Sequence, residues 1–579
     1  MKDLLYVLTT FTRYLAKRKF VYGVFVLLVV LSAILSGIIP YFYKQFVEAL
    51  PRNNFDELLT ILLIFMVVRV ADLMLNALSY FVGDYMSFPA GIEVRVNVFK
   101  KLHDLNFAFH SNHSTGSLIS AIKRGDGAFW SLYHAIYHRI MKVVIGFIVM
   151  VFFFRTLDSV FVTLVGVSFF ISLIAMKYIV NFNILTRKEF NDEEDNVTGI
   201  IVDNIINFET VKLFAREEWE RERLEKAFVT WKQKLWRHGI SFRILDVSIG
   251  GILNTSIFVL LYIGLRNYTN ADMTLGNFVL VLGFVNSFFP NLFDLFFGFR
   301  DIAKNYEDIK RYFNILENEV EIVDPEVSKS VSGSKGDIVF KDVDFSYKEG
   351  KKNAIKDFNL TILHGQSVAL IGRSGSGKTT LTKLLLRFFD VDRGHVTIDG
   401  VDVRDFTKSE LRSLMGVVPQ EPIMFNNTIG YNIGYGKDNA TKKEIVAAAK
   451  LANLHTFIES LPLKYKTNVG ERGIKLSGGQ KQRLAIARMI LSDPEIIIFD
   501  EATSHLDSEN EKLIQDAFWS ATKDKTTIII AHRLSTAMRA DTIIVMEDGK
   551  IAEIGNHKSL LLKPSLYKYF WDLQTKDSD

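Results

Sequence analysis

Long apolar segments fill the first half of the 579-residue chain and are missing from the second half. Residues 21–43 contain no charged side chain, and a helix of that length crosses the hydrocarbon core of a bilayer, which is about 30 Å thick. Five further segments have the same character, although the third is continuously apolar only over residues 143–154. We therefore predict a membrane domain of six helices, at about residues 21–43, 58–82, 136–154, 159–178, 247–266 and 277–299.

The distribution of Lys and Arg predicts how these helices are oriented. Arg13, Lys17, Arg18 and Lys19 precede the first helix and place the N-terminus in the cytoplasm. The apolar segment also begins too late in the chain for a cleaved signal peptide. Short connections with a single Arg are expected outside and long ones rich in Lys and Arg inside: 51–57, 155–158 and 266–276 outside, 83–135 and 179–246 inside. We predict a multi-pass protein of a cell membrane, inner or plasma, with both termini in the cytoplasm.

Composition narrows the classes of function. Hydrophobic residues make up 49% of the chain and charged residues 23%, a balance that excludes a disordered protein. The formal net charge of +4 argues against nucleic acid as a partner. The chain has no cysteine, so disulfides, thiolate metal sites and thiol catalysis are excluded. The long loops keep a helical periodicity and, as paired helices, would reach roughly 35 Å below the membrane.

Short β segments alternate with helical segments from about residue 337 onwards. The small, polar residues 325–336 that precede them are typical of a linker. We therefore predict a membrane domain over residues 1–320, a linker over 321–336 and a cytoplasmic α/β domain over 337–579.

The strongest motif in the chain follows the β segment at 367–371 and fits G-x-x-x-x-G-K-[ST]. Its glycines let backbone N–H groups surround a phosphate, and the helix that follows presents its positive end to the same anion. Lys378 is predicted to reach the β- and γ-phosphates, and the Thr379 hydroxyl to bind Mg²⁺. The predicted phosphate-binding residues are Gly372, Arg373, Ser374, Gly375, Ser376, Gly377, Lys378, Thr379 and Thr380.

A second apolar β segment ends in two acids, Asp500 and Glu501. Ligands of α/β folds bind at the carboxyl ends of strands, which places both acids near the nucleotide. Asp500 is predicted to hold the Mg²⁺ shell, and Glu501 to polarise the attacking water as a general base. Two solvated acids that cap a helix are the alternative interpretation.

These motifs, together with the segment Leu-Ser-Gly-Gly-Gln-Lys-Gln-Arg at residues 476–483, resemble the nucleotide-binding domain of ATP-binding cassette (ABC) transporters. The resemblance covers residues 337–575. It implies a P-loop α/β ATPase domain of ABC type with ATP and Mg²⁺ as ligands. In the family, the segment that corresponds to Ser477, Gly478, Gly479 and Gln480 binds the γ-phosphate of ATP held by the opposite domain of a dimer.

The resemblance also assigns single residues. Tyr347 matches the family's aromatic residue that stacks on adenine. Gln420 matches the glutamine that senses Mg²⁺, and His532 matches the switch histidine at the γ-phosphate. Asp507 keeps its expected place at the dimer interface, whereas His505 stands where the family usually has a small residue. The implied catalytic residues are Glu501, His532, Lys378 and Gln420, and the implied metal ligands are Thr379, Gln420 and Asp500.

Six helices, a linker and a cassette in one chain resemble a type IV ABC exporter half-transporter. Residues 114–120 resemble the turn before the family's first coupling helix, and residues 207–217 resemble the segment around the second. The resemblance implies a homodimer, with a heterodimer left open. Such a dimer exports or flips a small hydrophobic or amphipathic substrate by alternating access, driven by ATP hydrolysis.

The sequence leaves the substrate open. Residues 207–217 also resemble mitochondrial-type exporters of glutathione conjugates, but residues 186–191 do not reproduce the paired arginines of that subfamily. Asp294 in the sixth helix either meets a cationic substrate or bonds another helix, and Arg69 and Asp72, three residues apart, are expected to pair. A peptide exporter, an ATP-gated channel, a regulatory membrane subunit and a membrane-anchored P-loop enzyme remain alternatives.

Overall fold

The computed structural model describes residues 2–112, 115–329, 333–347, 353–500, 508–531 and 533–576. The chain forms two compact units. The first consists of Met1–Asp104 and Asn112–Glu319, and the second of Leu105–Ser111 and Val320–Asp579. The short segment Leu105–Ser111 thus groups with the C-terminal unit, whereas the sequence predicted one membrane domain over residues 1–320.

The described residues before the linker form helices joined by short connections, and they contain no β-strand. Its helices are α1 (Lys2–Leu15), α2 (Lys19–Ala49), α3 (Phe55–Asp104), α4 (Phe107–Asn112), α5 (Thr115–Tyr133), α6 (Met141–Arg155), α7 (Ser159–Ile206), α8 (Phe208–Leu213), α9 (Glu217–Thr269) and α10 (Leu275–Glu317), with a 3₁₀ turn at Leu50–Arg52 and a π-helical turn at His134–Ile140.

Six helical stretches among the described residues are long and apolar enough to cross a membrane, and each contains or overlaps one of the predicted segments. The prediction of six membrane helices is therefore confirmed. The predicted loops continue the same helices, since α3 extends to Asp104 and α7 to Ile206 without a break. The third stretch, Ala121–Arg155, contains the π-helical turn, in which the Met141 N–H donates to the Ile136 carbonyl five residues back.

Polar side chains cap the starts of α7 and α10 and join α7 to α9. The Asp158 carboxylate accepts from the Val160 N–H at the start of α7, and the Thr274 hydroxyl accepts from the Asn277 N–H at the start of α10. Between α7 and α9, the Asn183 amide donates to the Ser241 hydroxyl over 2.8 Å in a buried position. Apolar side chains from α6, α7, α9 and α10 form the core of this unit, with Phe154, Phe161, Leu245, Phe284 and Phe296 fully buried.

The second unit contains two β-sheets. The strands are β1 (Ile338–Phe345), β2 (Ile355–Ile362), β3 (Ser367–Ile371), β4 (Arg393–Ile398), β5 (Val401–Asp402), β6 (Met415–Val418), β7 (Ile496–Asp500), β8 (Thr526–Ile530), β9 (Thr542–Glu547) and β10 (Lys550–Gly555). The antiparallel sheet has the order β2-β1-β4-β5, and the larger sheet the order β10-β9-β3-β8-β7-β6. In the larger sheet β9, β3, β8, β7 and β6 are parallel.

Helices flank these sheets: α11 (Lys378–Leu385), α12 (Lys408–Ser413), α13 (Ile429–Gly434), α14 (Lys442–Leu451), α15 (His455–Ser460), α16 (Gly478–Ser492), α17 (Ser508–Ala521), α18 (Leu534–Ala537), α19 (His557–Leu561) and α20 (Leu566–Lys576). Strand β8 alone separates β3 from β7. The loops after β3 and β7 therefore leave the same edge of the sheet, which is where α/β folds bind ligands. The predicted α/β fold of this half is confirmed.

Asp399 anchors the linker. It lies in the two-residue turn between β4 and β5, where Asp399 and Gly400 both have positive φ, as such hairpins require. Its carboxylate accepts from the Ser334 hydroxyl and from the N–H groups of Lys335, Gly336 and Asp337. Burial would raise the pKa of the Asp399 carboxyl, but these hydrogen bonds outweigh it and hold the pKa below the ordinary value.

We expect Asp399→Asn to destabilise the protein by about 1–3 kcal/mol at neutral pH, because an amide oxygen replaces a charged acceptor of several hydrogen bonds. A lowered pKa contributes stability above the pKa of the unfolded chain and loses it as the pH falls through the folded-state value. The difference in melting temperature from the wild type should therefore shrink in acid. Asp405→Asn, which removes an exposed ion pair with Lys329, is the control with a small expected effect. Equal melting curves for both variants would contradict the conclusion that the Asp399 carboxylate anchors the linker.

Candidate functional site

The loop between β3 and α11 is shaped as a cradle. Gly372, Gly375 and Gly377 have φ of 152°, 80° and 104°, in or beside the region that other residues avoid. A Cβ on Gly372 would lie 2.3 Å from the Met546 carbonyl oxygen, and one on Gly377 would lie 2.9 Å from that of Ala354. Glycine is therefore required at both positions for the loop to close around a ligand.

Lys378 begins α11 and folds back over this loop. Its buried ammonium donates to the carbonyl oxygens of Gly372 and Arg373 over 2.8 and 3.0 Å. These two bonds hold a positive charge above the cradle, where it complements a polyanion.

A cavity of about 690 Å³ lies beside the loop, entirely within the second unit. Its lining contains predicted residues from four separate parts of the chain: Tyr347, Ser374, Gly375, Ser376, Gly377, Lys378, Thr379, Thr380, Gln420 and Asp500. The structure thus brings together residues that are distant in sequence. Arg373 reaches the site through its backbone carbonyl.

Three oxygen-bearing side chains in this lining suit a magnesium ion. Thr379 offers a hydroxyl, Gln420 an amide oxygen and Asp500 a carboxylate, which are the hard ligands that Mg²⁺ prefers. Burial raises the pKa of the Asp500 carboxyl, and the nearby Lys378 and Lys383 oppose that rise. The donor set fits the predicted metal.

Tyr347 lines the cavity and makes polar and aromatic contacts there. Its hydroxyl lies 3.1 Å from that of Thr380, and its ring packs edge-on against Phe389 at 5.3 Å between centroids. The Lys383 ammonium lies 6.0 Å from the centre of the Tyr347 ring and 5.0 Å from that of Phe107.

Phe107 belongs to the segment Leu105–Ser111, which groups with this unit. Its ring stacks on Phe388 at 5.3 Å and meets Phe389 at 6.1 Å. The sequence placed the first contact helix after residues 114–120. In the structure the short helix α4 precedes them, and the described residues from Thr115 already belong to α5. The assignment of a coupling helix after that turn stays a prediction, and Phe107, upstream of the motif, is an aromatic contact that the sequence did not single out.

The segment Ser477–Gln480 forms the start of α16 and is absent from the described lining of the cavity. The Ser477 hydroxyl accepts from the Gln480 N–H, while the Gln480 side chain accepts from the Ser477 N–H. Ser477 and Gly478 are exposed. The positive end of a well-capped helix is therefore open to a ligand from outside this unit.

Three predicted site residues, Glu501, Asp507 and His532, lie outside the described residues, as does His505. The structure adds four lining residues that the sequence analysis missed: Asn353, Ala354, Asp548 and Gly549. The Gly549 N–H donates to the Ser376 carbonyl over 3.2 Å. The Asp-Gly pair predicts a β9–β10 hairpin turn, but nothing in the sequence places that turn against the cradle.

This architecture, with six membrane helices and a phosphate cradle completed by oxygen ligands, defines a membrane-embedded P-loop nucleotide-binding protein. The sequence profile "ABC transporter transmembrane region" matches residues 22–292, and the profile "ABC transporter" matches residues 355–504. The chain belongs to the ABC transporter family, and its second unit is the family's ATPase domain.

Several known proteins are similar over most of this chain. ATP-binding cassette sub-family B member 6 of Mesocricetus auratus is 36% identical over 84% of this chain, which spans 58% of that protein. The mitochondrial ABC transporter B family member 24 of Arabidopsis thaliana is 36% identical over 82% of this chain and 71% of its own length. The solved structure of a bacterial Atm1-family ABC exporter with ATP bound superposes with a TM-score of 0.86 at 32% identity, covering 96% of this chain and 98% of that one.

Proposed function

We propose that two copies of this chain form an exporter that hydrolyses ATP at two composite sites and moves an amphipathic substrate across a cell membrane by alternating access. The observation that carries the proposal is the exposed start of α16, at Ser477 and Gly478, which lies outside the cavity lined by Lys378 and Asp500. A second copy can bring its own α16 to the nucleotide. The exporter named in the superposed structure supports the direction of transport.

The residues of the cavity suggest how each site works. The cradle and Lys378 bind the triphosphate, and Tyr347 stacks on adenine. Thr379, Gln420 and Asp500 would hold Mg²⁺, which when bound would neutralise charge on the phosphates. Glu501 takes a proton from the attacking water, and His532 contacts the γ-phosphate. Because ATP binds the closed dimer better than separated domains, binding shifts the population to the closed state and hydrolysis resets it.

The exposed tip of the α7–α9 hairpin fits the dimer. Asn207 ends α7, and the short helix α8 follows it with Phe208, Leu213 and Phe214 exposed. Apolar side chains grouped at such a tip are suited to a docking surface, and we assign them to contact with an ATPase domain.

A transport assay distinguishes this function from a channel. Inside-out vesicles that contain the protein should accumulate a labelled amphiphile only with MgATP and against its gradient, whereas a channel would dissipate that gradient. Loss of a preformed gradient on addition of ATP would overturn the proposal.

The orientation of the helices can be tested with single cysteines, because the chain has none of its own. We expect Asn270→Cys to react with a membrane-impermeant maleimide on intact cells and Thr210→Cys to react only after the membrane is opened. Labelling of residue 210 from outside would overturn the predicted topology.

Asp294 lines a cavity of about 310 Å³ between helices of the membrane unit. We expect Asp294→Asn to weaken transport of a cationic amphiphile by on the order of tenfold and to change transport of a neutral one little, because only the cation loses a charged partner. Asp272→Asn, between α9 and α10, is the matched control. Equal loss for both substrates would assign Asp294 to packing instead.

A further inference from the structure

We propose that the cavity lined by Asp294 binds a zwitterionic group, with a primary ammonium and an anion on one molecule. The inference rests on the proposed export function and names the class of its substrate. The cavity lies among α2, α3, α6 and α10 and the π-helical turn, all within one protomer. Its volume of about 310 Å³ is at the lower end of ordinary ligand pockets.

Lys142 supplies one charge of the cavity. Its ammonium donates to the Asn76 amide oxygen over 2.5 Å and lies 5.8 Å from the centre of the Tyr80 ring. Among the described residues no carboxylate lies within ion-pair distance of it. The half-buried ammonium thus has only neutral groups in direct contact, and Asp72 acts on it from beyond ion-pair distance, an arrangement inside a membrane domain that is costly and favours a bound anion.

Two carboxylates supply the opposite charge. Asp72 accepts from the buried Ser32 hydroxyl over 2.9 Å, and no ion pair links it to Arg69 among the described residues, so the pairing expected from sequence is wrong. Asp294 has neither a hydrogen-bond nor an ion-pair partner within the described part of the chain. Both acids face the same cavity as Lys142.

Arg139 differs from Lys142 because it has an ion-pair partner within the protein. It also lines the cavity, but its guanidinium pairs with Asp301 over 3.2 Å. The protein therefore pairs one cation of the cavity internally, whereas among the described residues no ion pair joins the Lys142 ammonium to Asp72 or Asp294. A ligand with charges of both signs satisfies these groups, whereas a singly charged ligand satisfies one kind only.

The π-helical turn adds a polar group next to Lys142. His138 lies in this turn, and its ring stacks on Tyr80 with centroids 4.2 Å apart. The buried Nδ1 of His138 has no hydrogen-bond partner among the described residues. A buried nitrogen without a partner at the cavity wall indicates that a ligand or a water molecule binds there. Because the positively charged Lys142 lies beside it, we assign this side of the cavity to the anionic group of the ligand.

The remaining wall accommodates an apolar body. Phe284 and Phe288 are buried and line the cavity beside Ser287. Two kinds of ligand carry such a compact group with an ammonium and an anion: a lipid, in its headgroup, and a free, water-soluble molecule. The experiment has one arm for each source.

The test uses the full-length dimer in nanodiscs of phosphatidylcholine and phosphatidylglycerol, with ATPase stimulation as the readout. Three single-chain probes with hydrocarbon chains of equal length carry a zwitterionic, a cationic and an anionic headgroup: lysophosphatidylethanolamine, the corresponding alkylamine and lysophosphatidylglycerol. We expect the zwitterion to reach half-maximal stimulation at a concentration at least tenfold lower than either singly charged probe. Similar concentrations for all three would overturn the inference.

Two variants separate the two ends of the ligand. Lys142→Met should raise the half-maximal concentration of the zwitterion about tenfold and leave that of the alkylamine unchanged. Asp294→Asn should raise the half-maximal concentrations of the zwitterion and the alkylamine and leave that of lysophosphatidylglycerol unchanged. Arg155→Met, a cation removed from the same helix as Lys142 but away from the cavity, is the control. Lys142→Arg keeps the charge and should keep the preference. Equal shifts for all probes in Lys142→Met would overturn the assignment.

The remaining arm identifies the source. Competition by free phosphoethanolamine at concentrations comparable to the lysolipid would indicate a water-soluble ligand, and its failure to compete would indicate a lipid headgroup; both outcomes support a zwitterion site. Stimulation of the wild type by the probes without any preference overturns only this inference. An ATPase that responds to none of them, in a protein that also fails to transport amphiphiles, contradicts the export function.

Discussion

Replacing Glu501 with glutamine is expected to leave MgATP binding intact and to lower turnover by about 10²- to 10⁴-fold. Glu501 directly follows Asp500, the last residue of β7, whose carboxylate lines the nucleotide cavity. An amide keeps the size and hydrogen-bonding capacity of the side chain but cannot accept a proton from water. The variant should therefore bind nucleotide as the wild type does and stop at the chemical step.

Equilibrium binding of a fluorescent ATP analogue and steady-state phosphate release measure the two effects separately. Glu459→Gln is the control, because Glu459 is an exposed acid of the same domain that pairs with Lys464. It should hydrolyse ATP at the wild-type rate. Near-normal hydrolysis by Glu501→Gln would remove Glu501 from the mechanism, and a loss of nucleotide binding would assign it a structural role.

Two inactive variants are expected to restore activity to each other when they are coexpressed. Lys378→Ala removes the ammonium that lies over the phosphate cradle. Ser477→Arg places a long side chain at the exposed start of α16, where a helix end should meet the γ-phosphate. If each nucleotide is bound by the cradle of one copy and α16 of the other, either homodimer has two damaged sites.

In the mixed dimer both lesions fall on one composite site and the second site is intact. Partial ATPase activity should therefore return, limited to the one working site and lower still if the two sites are strongly coupled. Tandem purification on two different tags isolates the mixed dimer for the measurement. Full activity of the Ser477→Arg homodimer, or of a monomer, would show that one chain forms a complete site.

The six membrane helices could be predicted because a helix that crosses a bilayer needs a long stretch without charged residues. The composition of residues 21–43 alone meets this requirement, whatever the helix packs against. The phosphate cradle could be predicted because Gly372 and Gly377 must adopt backbone conformations that other residues avoid. In both cases local physics restricts the residue types directly.

Other features depend on contacts that local sequence does not encode. Asp72 bonds Ser32 on another helix rather than Arg69 one turn away, since helix packing decides its partner. The π-helical turn at His134–Ile140 places polar side chains inside a span whose apolar pattern looked irregular. No sequence motif near Asp548 and Gly549 predicts that they line the nucleotide cavity, because the order of the strands in the sheet brings them there.

The docking of Leu105–Ser111 means that the ATPase domain is not a detachable module. A fragment that starts after the linker lacks Phe107, so Phe388 loses its stacking partner and Lys383 one of the two rings that flank it. The other ring belongs to Tyr347, the residue assigned to adenine. Nucleotide affinities measured on such a fragment would describe a site in which Lys383, beside Tyr347, has lost its contact with the Phe107 ring. During synthesis, Phe107 leaves the ribosome hundreds of residues before the aromatic and basic residues that it contacts.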